Sequence, residues 1–350
     1  MRIILPHGEN GVYLGNLPTP AMLPNAALCR VTHSLISAGT ERGMIRSVQG
    51  KSRKEIIQTG MRLGYSGAGI VERVGAELPG FRRGQRVAFY GGPYVHHGER
   101  IVVPRHLLFP MSDGLEPSQA AFIGLAAISM HGFRQGAAGL GDVCFVAGAG
   151  IIGNLCAQLS LLAGCRVVVS DPDGSRRARM RKCATAADDL RCVAPDEVAD
   201  AVHEISHGRG ADTVLLCLSA TTAEAMEQAL RVLRPGGRIV VVGVLDVHVP
   251  RDLFFQREAE ITISRAAGPG RYDPGYERDG VDYPLQYVRW TEGRNCEESL
   301  RLIAAGRLRV KPLLGRLYPV ERAAEAYEAV LNEKSDLGHL LDWTTLSRKK

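Results

Sequence analysis

Residues 143–153 read Val143-Cys144-Phe145-Val146-Ala147-Gly148-Ala149-Gly150-Ile151-Ile152-Gly153. The first five are apolar and predict a buried strand, and the apolar run from Ile151 to Ala163 predicts a helix. Between them lies a G-x-G-x-x-G. That pattern is weak when isolated, but it becomes a dinucleotide-binding signature when a strand feeds it and a helix leaves it. Gly148 permits the tight turn, Gly150 lets backbone approach a pyrophosphate, and Gly153 lets the helix pack on the strand. The helix N-terminus adds free N–H groups and a positive dipole end, which brings Ile151 and Ile152 into the phosphate site. The alternative is a glycine-rich turn that holds no ligand.

The same strand-then-helix rhythm continues downstream. Arg166–Ser170 predicts a strand and Ser175–Cys183 a basic helix. Thr213–Leu218 predicts a strand, Thr222–Leu233 a helix, and Ile239–Val244 and Glu260–Ser264 two further strands. Apolar strands alternating with helices imply a doubly wound parallel sheet, an α/β fold. Asp171 ends the second strand, 18 residues past Gly153. A carboxylate there accepts from both ribose hydroxyls and repels a 2′-phosphate, which favours NAD over NADP. Arg176, with Arg177, tempers this, since an arginine there can receive that phosphate. Asp171 can also be only a turn or helix-capping residue. Leu218, Ser219, Gly243 and Val244, at the ends of later strands, complete the expected cofactor-binding set.

Residues 1–110 have a different texture. Short apolar runs (Ala27–Val31, Gly69–Val74, Gln85–Phe89, Arg100–Val103) are separated by Gly, Pro and His turns and predict strands. Residues 117–138 are Ala-rich and suit a helix. The doubly wound rhythm stops near residue 268, after which Cys296–Ala305 and Val320–Asn332 predict helices. Arg348-Lys349-Lys350 reads as a solvated end.

Composition removes several classes. The chain has 350 residues, 45% hydrophobic and 23% charged, which suits about two globular domains and excludes a disordered or collagenous chain. The net charge of +6 comes without a basic stripe interleaved with stacking aromatics, so nucleic acid is not an expected partner. No apolar run reaches the 18 or so residues of a membrane span, and Ile3–Leu5 is too short for a signal peptide. The eight cysteines are scattered with no C-x-x-C pair, which reads as reduced thiols of a cytoplasmic protein.

With Pro235-Gly236-Gly237-Arg238 added to these landmarks, the chain resembles the medium-chain dehydrogenase/reductase superfamily along essentially its whole length. The resemblance implies a GroES-like β-rich catalytic domain over residues 1–118 and 268–350, around a Rossmann domain over residues 119–267. It also implies a homodimer formed by edge pairing near residues 260–264. Narrower strings, Ser37-Ala38-Gly39-Thr40-Glu41-Arg42, Gly64-Tyr65-Ser66-Gly67-Ala68-Gly69, Gly268–Pro274 and Asp282–Glu292, resemble the dehydrogenase half of bi-domain oxidoreductases of polysaccharide biosynthesis. The second half of those proteins is absent from this sequence.

Zinc members of the superfamily hold their catalytic metal with a Cys, a His and a further Cys or acid. The resemblance puts Ala38, Tyr65 and Ile123 at those positions, and none of the three can build a His/Cys site. The four cysteines of a structural zinc lobe are missing too, so no metal is expected. His96-His97 is the remaining metal hint, but neighbouring residues on a strand point to opposite faces. Without a Lewis acid, another group must polarise the substrate oxygen and move its proton. Thr40 occupies the family's hydroxyl position and is the candidate relay. Tyr65 stands at a metal ligand's place and is the candidate donor. His97 is a candidate general acid/base. His131 suits packing better. Each of these can instead be structural.

Residues 265–294 form a polar insert rich in arginine and aromatic residues. The resemblance sets Ser264 and Arg265 at the nicotinamide. Arg271, Tyr272, Tyr283, Arg289 and Trp290 are the candidate substrate residues, suited to a polyhydroxylated ring or an anionic group. The leading expectation is a zinc-independent NAD(P)-dependent alcohol dehydrogenase or ketoreductase acting on a polar, sugar- or cyclitol-like small molecule. A C=C (enone) reductase and a non-catalytic NAD(H)-binding protein are the alternatives, and a closed cycle that returns its hydride stays open.

Overall fold

The computed structural model describes residues 1–9, 11–219, 224–245, 247–332 and 337–346. The chain divides into two compact units. The first comprises Met1–Leu125, Pro269–Ala304 and Leu314–Lys350, and the second Ala126–Gly268 and Ala305–Leu313.

The second unit is built on six parallel strands. In space they run Leu190–Val193, Arg166–Ser170, Val143–Ala147, Ala211–Leu216, Leu233–Val241 and Glu260–Ile263. Chain order therefore reverses beside Val143–Ala147, which has the second strand on one side and the fourth on the other. Such a switch leaves a crevice at the carboxyl ends of the strands, where nucleotides bind. All five residues of Val143–Ala147 are buried, which explains an uninterrupted apolar run in place of alternation. The helices Ile151–Leu162 and Gly174–Cys183 follow the first two strands as expected. The helix expected from Thr222 runs Glu224–Val232; Thr222 and Ala223 lie outside the described residues, and Leu233 opens the next strand. The strand Leu190–Val193 and the helix Val198–Ile205 were not foreseen. The strand is only four residues long, with exposed Arg191 within it, so it gives little apolar signal. Ala305–Leu313 is tied to this unit through Gln158. Its Oε1 accepts from the Arg309 N–H at 2.7 Å and its Nε2 donates to the Arg309 carbonyl at 3.1 Å.

The first unit is β-rich and GroES-like. Its hub is the strand Ala26–Leu35, which pairs antiparallel with Ser66–Val74, Arg100–Pro104 and Leu340–Asp342. Arg86–Tyr90 continues the sheet beyond Ser66–Val74. The hairpin-like pair Arg2–His7 and Gly11–Asn16 forms a separate sheet. Ile4, Val31, Phe89, Ile101, Tyr327 and Trp343 share one core, so residues near both ends of the chain seal it together. The Ala-rich segment expected as one helix is two, Pro117–Ala120 in the first unit and Ile123–Gly136, most of which belongs to the second. Residues 37–58, a polar stretch, contain the helices Ala38–Ser47 and Arg53–Gln58. The last helices are Glu292–Ala304 and Ala323–Asn332. Arg348–Lys350 lie outside the described residues.

Candidate functional site

In the second unit the expected cofactor residues gather at the carboxyl edge of the sheet. Gly148 has φ +97°, a left-handed conformation that excludes most side chains. A Cβ on Gly153 would stand 1.8 Å from the Gly148 carbonyl oxygen, so helix and turn touch backbone to backbone. Gly243 makes a similar contact, since its Cβ would lie 2.0 Å from the Leu218 carbonyl oxygen. The turns after the first, fourth and fifth strands therefore pack on one another through glycine. Gly150 is the N-cap of Ile151–Leu162 and has no side chain to occupy the helix end; nothing would meet a Cβ there within 4 Å. Ile151 is buried and Ile152 half-buried, while Ser219 and Val244 are exposed.

Asp171 is buried beside this turn. Its Oδ2 accepts from the Ala149 N–H at 2.8 Å and its Oδ1 from the Asp173 N–H at 2.9 Å. A carboxylate offers about four acceptor sites, so capacity remains for ribose hydroxyls. Arg176 lies 3.6 Å from the same carboxylate. The helix-capping role belongs to Asp173, whose side chain accepts from the Ser175 N–H. Ser264 is buried just past the sixth strand, Glu260–Ile263, and Arg265 is exposed next to it. These groups fit a nicotinamide dinucleotide: a glycine turn for the pyrophosphate and a carboxylate for the ribose.

The first unit brings Tyr65 and Thr40 together. The Tyr65 hydroxyl donates to Ser37 Oγ at 2.6 Å and is also hydrogen-bonded to Thr40. Ser37 and Thr40 flank the start of the helix Ala38–Ser47, and Tyr65 immediately precedes the strand Ser66–Val74. Burial raises the Tyr65 phenol above its ordinary pKa, with the Ser37 and Thr40 hydrogen bonds acting against that rise. The phenol therefore stays protonated at neutral pH. Ser37 was not foreseen as a site residue, because a lone serine before a helix reads as a cap.

His97 is placed differently from a surface acid/base. Its ring is fully buried, with Nδ1 2.8 Å from Ser34 Oγ and Nε2 3.2 Å from Glu41 Oε2. Tyr327 donates to the same Glu41 carboxylate, and Trp343 Nε1 donates to Ser34. Glu41 also accepts from the Ser37 N–H at 2.7 Å. His97 and Glu41 therefore hold the segment that carries Ser37 and Thr40, as positioning residues beneath the hydroxyl cluster. A Cβ on Gly64 would stand 2.6 Å from the His97 ring, which explains the glycine before Tyr65.

The insert is ordered by its own contacts. Arg271, expected to grip substrate, is already engaged: it pairs with Glu277, donates to the Gly92 carbonyl at 2.7 Å and lies 4.0 Å from the Tyr272 ring centroid. Tyr283 donates to Asp273 and stacks on Tyr276 at 5.6 Å. Arg289 covers the Trp290 ring at 3.9 Å. Tyr272 is 57% exposed. Beneath them Glu292 is fully buried, with neither carboxylate oxygen reached by a protein donor. Burial, then the neighbouring Glu277, push its pKa up to about 9, with Arg271 opposing.

The positions where the resemblance expects zinc ligands carry Ala38, Tyr65 and buried Ile123, none of them a Cys, His or acid. Among the described residues no three His, Cys, Asp or Glu converge to hold a metal.

A sequence profile of the family described as "Zinc-binding dehydrogenase" matches residues 152–275. An alcohol dehydrogenase of Cupriavidus necator is 24% identical over 371 residues, covering 92% of this chain and 93% of its own. Human sorbitol dehydrogenase is 25% identical over 352 residues, covering 92% and 90%. Among solved structures, the alcohol dehydrogenase TADH from Thermus sp. ATN1 superposes with a TM-score of 0.75 at 20% identity, over 98% of this chain and 99% of that one. The chain is similar along nine-tenths of its length to these alcohol and sorbitol dehydrogenases, and it has the fold of the medium-chain dehydrogenase/reductase superfamily. These similarities support an oxidoreductase of the alcohol dehydrogenase type.

Proposed function

We propose that the protein is a zinc-independent alcohol dehydrogenase or ketoreductase that uses NAD in preference to NADP and acts on a polar, polyol- or sugar-like small molecule. The observation that carries this reading is the Ser37–Thr40–Tyr65 hydroxyl cluster, set where zinc members have a metal ligand. The similar alcohol and sorbitol dehydrogenases support the reaction type, and Asp171 supports NAD.

When bound, the nicotinamide supplies or takes up the hydride. The remaining requirement is a proton at the substrate oxygen. Tyr65 meets it as a neutral phenol that can donate to an oxygen gaining negative charge. An alkoxide is a much stronger base than a phenolate, so in the reducing direction the proton moves from Tyr65 to the oxygen. Ser37 and Thr40 hold the phenol oxygen and stabilise the phenolate left behind, and exposed Thr40 gives it a route to solvent protons. Glu41 and His97 fix the helix start that aims both hydroxyls.

The second unit ends in the edge strand Glu260–Ile263, where Ile263 is 69% exposed. We infer that this edge pairs with a second copy of the chain, since an uncovered strand edge is a template for association.

The test of the catalytic reading is 340 nm absorbance on metal-stripped protein with NAD⁺ across cyclitols, sugars and sugar nucleotides. NADH formation without added metal is the expected result. A flat trace from protein that binds NADH by fluorescence would sink the polyol dehydrogenase reading.

A further inference from the structure

The first unit contains a cavity of about 410 Å³ that neither the cofactor nor the hydroxyl cluster uses. Pro18, Thr19, Pro20 and Pro93 give it rigid walls, and Arg62 and His96 supply its nitrogen-rich lining. No aspartate or glutamate lines it.

Arg62 is half-buried, and its Nη1 donates to the adjacent Met61 carbonyl at 2.9 Å. That bond uses one of five guanidinium donors. Burial lowers its pKa with no acidic neighbour acting against it. His96 is 4% exposed, and its Nδ1 has no hydrogen-bond partner. Burial, then the charges of Arg62 and His97, hold His96 down to about 3, so it is neutral at physiological pH. A half-buried cationic fork and a buried imidazole with an unpartnered nitrogen line one cavity that no carboxylate lines. An oxyanion would satisfy both, because guanidinium geometry matches phosphate and carboxylate oxygens.

We propose that this cavity is a receptor for a small oxyanion, a phosphate monoester or inorganic phosphate, bound by Arg62 with His96 beside it. Its wall adjoins the hydroxyl cluster in sequence and space. Pro93 follows Gly92, whose Cβ position would lie 4.0 Å from the Tyr65 Cβ. The anion can therefore be part of the substrate or a separate effector.

The test is calorimetric titration of the full chain with inorganic phosphate, at constant ionic strength and with saturating NAD⁺ to occupy the phosphate-binding turn. Chloride is the control. Wild type is expected to bind phosphate saturably, and Arg62→Gln to bind it at least about tenfold more weakly. Arg62→Lys, which retains charge without the fork, should fall between them. Thermal melts confirm that the variants are folded. Equal phosphate binding by wild type and folded Arg62→Gln, or no binding beyond the chloride response, would overturn the proposal. This arm does not depend on turnover, so its failure is separate from failure of the dehydrogenase reading. The source of the anion rests on that reading. Phosphate competing with the alcohol, with KM raised and kcat unchanged in Arg62→Gln, assigns the oxyanion to the substrate. Phosphate altering kcat without competing assigns it to an effector.

Discussion

Glu292→Gln isolates one buried proton. Glu292 sits at 0% exposure against Glu277, which pairs with Arg271 and accepts from the Tyr272 N–H. In the unfolded chain Glu292 loses its proton near 4.5, whereas in the folded protein it holds it up to about 9. Between those values unfolding releases one proton, so the unfolded state binds fewer protons than the native one and stability falls as pH rises. The stabilisation is complete below the unfolded value and is lost as pH climbs through the folded one. One proton corresponds to about 1.36 kcal/mol per pH unit. From pH 6 to pH 8 the wild type should therefore lose about 2.7 kcal/mol relative to Glu292→Gln, whose amide cannot ionise. Urea unfolding followed by tryptophan fluorescence suits the question, because Trp290 and Trp343 both lie in the first unit. A constant offset between the two proteins is allowed. An offset that stays flat across pH 6–8 would refute the account of a buried, protonated Glu292 and make it an ionised partner of Arg271.

Other substitutions read the remaining parts of the account. Gly243→Ala places a Cβ 2.0 Å from the Leu218 carbonyl and should weaken NADH binding at least about tenfold by fluorescence titration. Gly43→Ala, at an exposed position of the helix Ala38–Ser47 with nothing within 4 Å, should instead leave binding unchanged and add up to about 1 kcal/mol of stability. Asp171→Asn removes the charge that repels a 2′-phosphate, so the NADP/NAD affinity ratio should rise about tenfold in the same titration. No change in that ratio would remove Asp171 from cofactor selection.

The parallel sheet was legible because its signals are local. Val143–Ala147 and Arg166–Ser170 are short apolar runs, and Gly148, Gly150 and Gly153 are spaced by the turn they must make. Leu190–Val193 escaped because half-buried Leu190 and exposed Arg191 carry no such run. Thr40 and Tyr65 were legible as replacements at known positions, but their meeting at Ser37 depends on a helix start facing a strand start 28 residues away. The burial of His97 was not legible, because its surroundings, Ser34, Glu41, Tyr327 and Trp343, come from distant segments. Arg271 looked available to an anion for the same reason. Only the fold sets Glu277 and Gly92 against it.

The central claim is that a tyrosine hydroxyl does the work a metal does elsewhere in the superfamily. The direct measurement is kcat of chelator-treated wild type and Tyr65→Phe on one alcohol found by the NAD⁺ panel, with NADH affinity measured alongside. The account predicts full activity in the chelated wild type. It predicts a kcat lower by about 10²–10⁴ in Tyr65→Phe, with NADH binding unchanged. Activity that disappears on chelation and returns with Zn²⁺, or a Tyr65→Phe enzyme as fast as wild type, would contradict it.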